Sequence, residues 1–105
     1  MGERPQRVVH HGDGLAWLRD SALGPRDAIV TSLPDVSGLP KLGFDGWRIW
    51  FVDAAAEVCR AAHEDAVVVF YQTDIKHEGR WVDKSLMVSE GAARAGSHLL
   101  WRKVV

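Results

Sequence analysis

The chain has 105 residues, of which 47% are hydrophobic and 26% are charged, a composition typical of one folded domain with a modest core and not of a disordered tail. Its 13 basic and 14 acidic residues leave a net charge of -1, which argues against a protein held on nucleic acid mainly by a global positive field but allows local basic contacts. The lone Cys59 excludes an internal disulfide, and the chain has neither a signal segment nor an apolar run of about 18 residues, so we expect a cytoplasmic protein without a membrane span.

The first third of the chain predicts a strand, a helix and a second strand. Residues 7–13, RVVHHGD, indicate a short strand that ends in Gly-Asp. The next segment, GLAWLRDSAL, places Leu15, Leu18 and Ala22 at helical spacing. DAIVTS then predicts a strand covered on both faces, as in a parallel sheet.

The middle of the chain predicts a long loop and then a helix. Residues 36–46 are rich in Gly and Pro and indicate the loop, and Asp45 is a suitable N-cap for the helix that follows. Apolar residues at i, i+3, i+4, i+7 and i+11 form one face of this helix, which we expect to end near Ala62. Packing in the core explains the tryptophans of that face better than base stacking does. The face consists of Trp47, Trp50, Phe51, Ala54 and Val58.

The last third predicts a strand, a polar loop, a helix and a final strand. DAVVVFYQ is the most apolar predicted strand, and the polar loop TDIKHEGR follows it. A helix from about Trp81 to Ala95 ends at Gly96, and SHLLWRKVV indicates a last strand. On this strand Trp101 either faces the core, which we favour, or contacts nucleic acid beside Arg102.

The order βαβαβαβ predicts an α/β fold, specifically a Rossmann-like three-layer sandwich with a mainly parallel sheet in one domain, residues 1–105. Ligands bind such sheets beyond the carboxyl ends of the strands. Polar segments follow three predicted strands, at residues 12–13, 32–35 and 71–74. We therefore expect a site where these three segments share one edge of the sheet.

Several segments in order also carry a family resemblance: HHGDGLAWL, DAIVTSLPD, the Trp-rich helix, VVVFYQTD and HLLWRKVV. Together they resemble S-adenosylmethionine-dependent amino-methyltransferases of the DNA adenine-N6 and cytosine-N4 type, over nearly the whole chain. Members of that family carry a Gly-Asp before a Leu-containing helix, a short Pro-containing motif after a strand, and a late Trp-x-Lys strand. The resemblance implies S-adenosylmethionine as cofactor and an amino group of a nucleic acid, DNA or RNA, as substrate.

The resemblance implies a catalytic motif at Ser32, Leu33, Pro34 and Asp35. In the family, a side-chain oxygen and a backbone carbonyl accept the hydrogens of the target amine, so that its lone pair points at the methyl group. Ser32 takes the side-chain position, the Leu33 or Pro34 carbonyl is the second acceptor, and Asp35 is a further acceptor of a hydrogen bond or of a proton. Leu33 replaces a family proline and Asp35 replaces the aromatic residue that stacks on an extruded base, which favours RNA or another target over a duplex base.

The resemblance implies a cofactor-binding turn at Gly12, Asp13 and Gly14. Asp13 would accept a hydrogen bond from the adenine amine of the cofactor, while the glycines leave room for it. The residues alone also make Asp13 a good N-cap for the following helix, and both roles can coexist.

The family also has a Phe-x-Gly-x-Gly-like turn for the methionine part of the cofactor, and the chain has no such sequence. In members with permuted motif order this turn follows the Trp-x-Lys strand. The chain therefore resembles the catalytic-motif half of a truncated or split methyltransferase, with an incomplete fold. We expect a homodimer or a partner chain to cover the open sheet edge. The alternative is a non-catalytic, degenerate methyltransferase fragment that serves as an interaction module.

Two further patterns bear on chemistry. The five histidines show no pair at i, i+4 spacing and the chain has one cysteine, so we predict no metal site. The mixed-charge segment TDIKHEGRWVDK is either a solvated loop, which we favour, or a substrate-facing loop beside the Ser-Leu-Pro-Asp motif.

Overall fold

The computed structural model describes residues 6–104, which form three α-helices, four short strands and two 3₁₀ turns. In chain order the elements are α1 (Gly14–Asp20), β1 (Ile29–Thr31), the 3₁₀ turns (Val36–Gly38 and Pro40–Leu42), α2 (Gly43–Ala61), β2 (Val68–Phe70), β3 (Ile75–His77), β4 (Arg80–Val82) and α3 (Lys84–Arg94). Over the described residues, no helix has the length and apolar composition needed to cross a membrane.

The strands β1 and β2 form a parallel pair connected by α2. Ile29 pairs with Val68 and Thr31 with Phe70. Beyond the last pair, the Tyr71 N–H donates to the Thr31 carbonyl at 3.0 Å. A parallel pair needs a crossover connection, and the long α2 supplies it. The predicted α/β class is therefore confirmed.

The core lies between α2 and one face of this parallel pair. Trp47 and Phe51 of α2 are fully buried, and Ile29 and Phe70 of the sheet pack against the same cluster. Val30, between two core-facing residues of β1, is 69% exposed. Within residues 6–104, α2 thus covers one face of the sheet, and the other face is exposed at Val30. The predicted covering of β1 on both faces is therefore wrong at this residue.

The first two helices follow the predicted periodicity, with two errors at their ends. The first helix ends at Asp20, so Ala22 lies outside it and is exposed. The Asp13 carboxylate caps α1 and accepts hydrogen bonds from the N–H groups of Leu15 at 2.9 Å and Ala16 at 3.4 Å, which confirms its capping role. The predicted N-cap of α2 is wrong, because the helix begins at Gly43 and Asp45 lies inside its first turn. The 3₁₀ turn Pro40–Leu42 directly precedes the helix, which therefore begins within the segment predicted as a loop.

A hairpin occupies the segment that the sequence predicted to be a polar loop followed by the first residues of the last helix. The strands β3 and β4 pair antiparallel, and Glu78 and Gly79 between them have φ values of 52° and 78°. Two successive residues in the left-handed region make a turn whose twist matches that of a hairpin. Because Trp81 belongs to β4, α3 begins only at Lys84, with Asp83 as its N-cap.

Both predicted terminal strands are wrong for the part of the chain that the structure describes. Residues 7–11 and 98–104 form no strand, and Val9 and Val104 are each 91% exposed. A strand needs a neighbour for its backbone hydrogen bonds, and neither edge of the β1–β2 pair has a further strand among the described residues. Trp101 is 64% exposed, so its predicted position on a buried strand face is wrong as well.

Candidate functional site

The Ser-Leu-Pro-Asp motif, residues 32–35, directly follows β1 and is joined to the end of β2 by Gln72. The Leu33 N–H donates to Gln72 Oε1 at 2.5 Å, and Gln72 Nε2 donates to the Leu33 carbonyl at 3.1 Å. Leu33 itself is 7% exposed and belongs to the core. Two of the three predicted polar strand ends therefore lie together, as expected from the parallel sheet. We call residues 32–35 the acceptor motif.

The first turns of α2 hold the acceptor motif from the other side. Trp47 is fully buried, which confirms its predicted place in the core, and its indole Nε1 donates to the Pro34 carbonyl at 2.9 Å. A buried indole N–H needs an acceptor, and this carbonyl provides it. The sequence pattern revealed the apolar role of Trp47 but carried no signal for this hydrogen bond.

A buried lysine at the start of α3 completes the surroundings of the motif. The Lys84 ammonium group donates to Asp35 Oδ1, and the Lys84 backbone N–H donates to Asp74 Oδ1 at 2.9 Å. The Lys84 side chain is 1% exposed, whereas that of Asp35 is 38% exposed. Burial lowers the pKa of Lys84, while the neighbouring carboxylate favours its charged form. Lys84 was missed as a site residue because its partner lies 49 residues away.

The acceptor motif presents several hydrogen-bond acceptors, whereas the Leu33 N–H is already bonded to Gln72. Ser32 is exposed, and its hydroxyl bonds to no other residue in the described chain. A carbonyl oxygen has two lone pairs, so the Leu33 and Pro34 carbonyls each keep one acceptor position beside the bond already made. Together with the exposed part of Asp35, these oxygens suit a ligand that brings N–H donors.

The predicted cofactor turn, residues 12–14, lies in an exposed depression of about 480 Å³ before α1. Gly12 has a φ of +154°, and a Cβ at either Gly12 or Gly14 would meet no atom within 4 Å, so the backbone is open to a ligand. Both capping bonds of Asp13 end on Oδ1, and Oδ2 accepts no bond from the described residues. The rings of His10 and Trp17 border the depression, with centroids 5.4 Å apart.

The turn and the acceptor motif are not joined by any hydrogen bond within residues 6–104. The predicted first strand would have carried residues 12–13 to the sheet edge, and that strand does not form. The turn fits the adenine end of S-adenosylmethionine, because it offers a free carboxylate oxygen and open backbone. For the methionine end, the described chain offers no further glycine-rich turn.

Other reactive groups in the described chain do not form a second centre. No cluster of three His, Cys, Asp or Glu residues there is arranged to hold a metal ion. Cys59 is a free thiol and 8% exposed. Burial raises the pKa of this thiol, with an opposing effect of the hydrogen bond from Ser97, so Cys59 is protonated and shielded at neutral pH.

Comparisons of the chain with models of protein families, with curated proteins and with solved structures found no match. The functional conclusion therefore depends on the residues themselves and on the geometry in which the fold holds them.

Proposed function

We propose that this chain is the catalytic-motif half of an S-adenosylmethionine-dependent N-methyltransferase that acts on an amino group of a nucleic acid. The observation that supports it most is the rigid acceptor motif after β1, which Gln72 and Trp47 hold by three hydrogen bonds. Transfer of a methyl group to an amine needs the nucleophile in a fixed orientation more than it needs a reactive side chain. A rigid set of acceptors beyond a parallel strand provides that orientation.

The motif residues orient the amine in this proposal. The Ser32 hydroxyl accepts one amine hydrogen, and the free lone pair of the Pro34 carbonyl accepts the other. With both hydrogens held, the nitrogen lone pair points away from the motif, toward the cofactor. Asp35 adds a further acceptor or takes the proton that the nitrogen releases, and Lys84 holds its carboxylate in place.

The turn at residues 12–14 holds the cofactor in this proposal. Asp13 Oδ2 accepts a hydrogen bond from the adenine amine, while Oδ1 continues to cap α1. When bound, S-adenosylmethionine supplies an electrophilic methyl group. The proposal places the methionine end on a glycine-rich turn outside the described residues or on a partner chain.

The proposal also extends to the complete fold of the enzyme and to its cellular location. In a Rossmann-like three-layer sandwich, further elements would cover the open sheet face at Val30, and residues 98–104 would pair with a strand. A second copy or a partner chain supplies those elements. We place the protein in the cytoplasm, where the cofactor and nucleic acids are both available.

A calorimetric titration of the full chain with S-adenosylhomocysteine tests the cofactor site without requiring the methyl acceptor. We expect saturable binding that is lost in Asp13→Ala. Asp13→Ser separates the two roles of this residue, because serine keeps the N-cap but does not reach the adenine amine. Asp20→Ala removes an exposed carboxylate from the other end of α1 and is the matched control, with binding unchanged. A folded chain that does not bind, or an Asp13→Ser variant that binds as the wild type does, would overturn the proposal.

One observation favours the second candidate, a non-catalytic interaction module. Residues 98–104 form neither helix nor strand within the described chain, and Leu99 and Leu100 are 66% and 74% exposed. Large apolar side chains in one exposed segment are typical of a surface that binds another protein. Sedimentation velocity and the calorimetric titration together distinguish the two candidates. A stable dimer that binds no S-adenosylhomocysteine favours the interaction module. A chain that binds S-adenosylhomocysteine favours the enzyme.

A further inference from the structure

Asp35 carries the only charge of the acceptor motif, and its carboxylate is bound on one side only. The Lys84 ammonium group donates to Oδ1, and the Lys84 side chain is 1% exposed. The Asp35 side chain is 38% exposed, so the ion pair joins a buried cation to a carboxylate that still reaches solvent. Oδ2 accepts no hydrogen bond from the described residues and is free to accept one from a ligand.

The contact with Lys84 keeps the Asp35 carboxylate ionised at neutral pH, because an adjacent positive charge favours the charged form of a carboxyl group. An ionised carboxylate accepts hydrogen bonds and donates none. Asp35 therefore attracts an N–H group of a ligand and repels a ligand atom that presents a lone pair. A neutral amide at this position would not discriminate in this way, since an amide offers both a donor and an acceptor.

The start of α3 fixes Lys84 in turn. The Lys84 backbone N–H donates to Asp74 Oδ1 at 2.9 Å, which ties the first turn of the helix to the segment after β2. The Asp83 carboxylate caps the same turn and accepts from the Leu86 N–H at 3.1 Å. The ammonium group thus reaches Asp35 from a backbone that is already held at two points, and no ligand is needed to assemble the pair.

The Pro34 carbonyl is the acceptor nearest to Asp35 along the chain, because it belongs to the peptide group that leads into this residue. The Trp47 indole N–H donates to it at 2.9 Å and leaves it one further acceptor position. Proline has no N–H, and the Leu33 N–H is already bonded to Gln72 at 2.5 Å. The backbone at residues 33 and 34 therefore adds acceptors beside Asp35 and offers no free donor.

The nucleobases differ in the atom that stands next to the amino group on the Watson–Crick edge, which is an edge that proteins read on an unpaired base. The N6 amine of adenine adjoins N1, and the N4 amine of cytosine adjoins N3, and both of these ring nitrogens present a lone pair. The N2 amine of guanine adjoins N1–H, so this edge carries neighbouring N–H donors. A negative acceptor beside the amine site therefore matches guanine and repels adenine and cytosine.

We propose that Asp35 selects guanine as the target base, with its carboxylate accepting the N1–H while Ser32 and the Pro34 carbonyl hold the N2 amine. All three acceptors then meet a donor, and none faces a lone pair. Lys84 is a positioning residue, because it holds the carboxylate but is itself too buried to reach the base. The assignment of guanine N2 as the methyl acceptor rests on the proposed function, whereas recognition of the base precedes transfer and needs no cofactor.

Fluorescence anisotropy of short, labelled uridine strands and their deoxyuridine counterparts, each with a different base at its centre, tests this selection without cofactor. We expect the full chain to bind the guanine strand about 10- to 150-fold more tightly than the adenine, cytosine or 2-aminopurine strand, the range for one hydrogen bond to a charged group. 2-Aminopurine is the closest comparison, because it keeps the 2-amino group and presents a lone pair at N1. Hypoxanthine, which keeps N1–H and lacks the amine, should bind with an affinity between those of guanine and 2-aminopurine.

Two variants assign the selection to Asp35 and Lys84. Asp35→Asn/Lys84→Met removes both charges without leaving an unpaired buried ion, and it should bind the guanine and 2-aminopurine strands about equally. Lys84→Met keeps the carboxylate but no longer fixes it, so the preference for guanine should become smaller without being lost. Asp20→Asn changes an exposed carboxylate at the end of α1 and is the matched control, with an unchanged preference. A ratio of two affinities within one variant does not depend on the fraction of that variant that is folded.

A preference for guanine that both variants reduce supports the proposal. Equal binding of the guanine and 2-aminopurine strands by the wild type, binding of no strand, or an unaltered preference in either variant would overturn it. The titration with S-adenosylhomocysteine separates this result from the proposed function. A chain that binds S-adenosylhomocysteine without preferring guanine overturns the choice of base alone. A chain that prefers guanine but binds no S-adenosylhomocysteine overturns methyl transfer and leaves Asp35 in a guanine-binding site.

Discussion

The Gln72 side chain makes two hydrogen bonds to the backbone of Leu33, accepting from its N–H at 2.5 Å and donating to its carbonyl at 3.1 Å. These are the two bonds that a neighbouring strand would make to this residue. The side-chain amide therefore continues the parallel pairing past the last backbone pair, at the point where the chain leaves β1. Asn and Gln are the side chains that offer a donor and an acceptor in this arrangement, and only Gln occurs at the end of β2.

We expect Gln72→Glu to destabilise the protein by about 1–3 kcal/mol at pH 7. The substitution keeps the length and the acceptor for the Leu33 N–H, but it places a carboxylate oxygen against the Leu33 carbonyl, leaving that group without its donor. Urea unfolding measures the effect. Gln6→Glu introduces the same change at an exposed position and is the control. Equal stability of the two variants would show that the amide does not hold the motif.

The helices could be predicted from the sequence because each has a local signal. Asp13 precedes the apolar spacing of α1, and the buried face of α2 repeats at helical period through Trp47, Phe51 and Val58. The hairpin could not be predicted from apolar alternation, since it is set by left-handed conformations at Glu78 and Gly79, of which only the glycine is a recognisable signal. The terminal strands had a suitable composition, but a strand depends on a partner that composition does not show.

The part of the candidate site that lies at the strand ends could be predicted from the sequence. The end of β1 and the end of β2 meet because parallel strands finish at the same edge, which places Gln72 beside Leu33. Lys84 was not predictable, since its ion pair with Asp35 joins the first turn of α3 to a turn after β1. No periodicity or spacing connects two such positions.

Gly91 determines how closely α3 can approach α2, and we expect Gly91→Ala to be destabilising. A Cβ at this position would lie 2.6 Å from the Val52 carbonyl oxygen and 2.8 Å from the Ala55 Cβ, so the two helices must move apart. The loss should be about 1–3 kcal/mol, in spite of the better helix propensity of alanine.

Gly46→Ala is the matched control for this change. Gly46 also lies within a helix, but its Cβ would meet its nearest neighbour, the Leu42 Cβ, at an ordinary 3.4 Å. The gain in helix propensity should therefore make this variant as stable as the wild type or slightly more stable. Urea unfolding of both variants tests the close approach, and a Gly91→Ala variant as stable as Gly46→Ala would contradict it.

Asp35 and Lys84 form a buried ion pair, and substituting Asp35 should destabilise the protein more than substituting Lys84. Asp35→Asn leaves an ammonium group that is 1% exposed without its counter-charge, at an expected cost of about 3 kcal/mol. Lys84→Met removes the buried charge itself and leaves an Asp35 side chain that is 38% exposed and reaches water, so we expect a loss below about 1 kcal/mol. Urea unfolding at pH 7 gives both values, and a larger loss for Lys84→Met would show that the pair is not organised in this way.

Because Asp35→Asn leaves the buried Lys84 without its counter-charge, the free energy of unfolding of this variant should depend on pH. Burial lowers the pKa of Lys84 from its ordinary value of 10.5, and the Asp35→Asn change removes the carboxylate that bonds to the Lys84 ammonium group and favours its charged form. Between the lowered pKa and 10.5, the unfolded chain binds more protons at Lys84 than the folded chain does. The free energy of unfolding of the variant should therefore rise with pH in this window, and it should not depend on this lysine at lower pH.

Urea unfolding from pH 7 to pH 10 measures that rise against two references. In the wild type, burial already lowers the pKa of Lys84. Removal of the Asp35 carboxylate should lower it further, so the deficit of Asp35→Asn relative to the wild type should shrink as the pH increases. The double variant Asp35→Asn/Lys84→Met has lost the titrating group and should show none of this change. If the difference in free energy of unfolding between Asp35→Asn and the wild type stayed constant from pH 7 to pH 10, Lys84 would remain charged without Asp35. The backbone groups around the start of α3 would then stabilise its charged form.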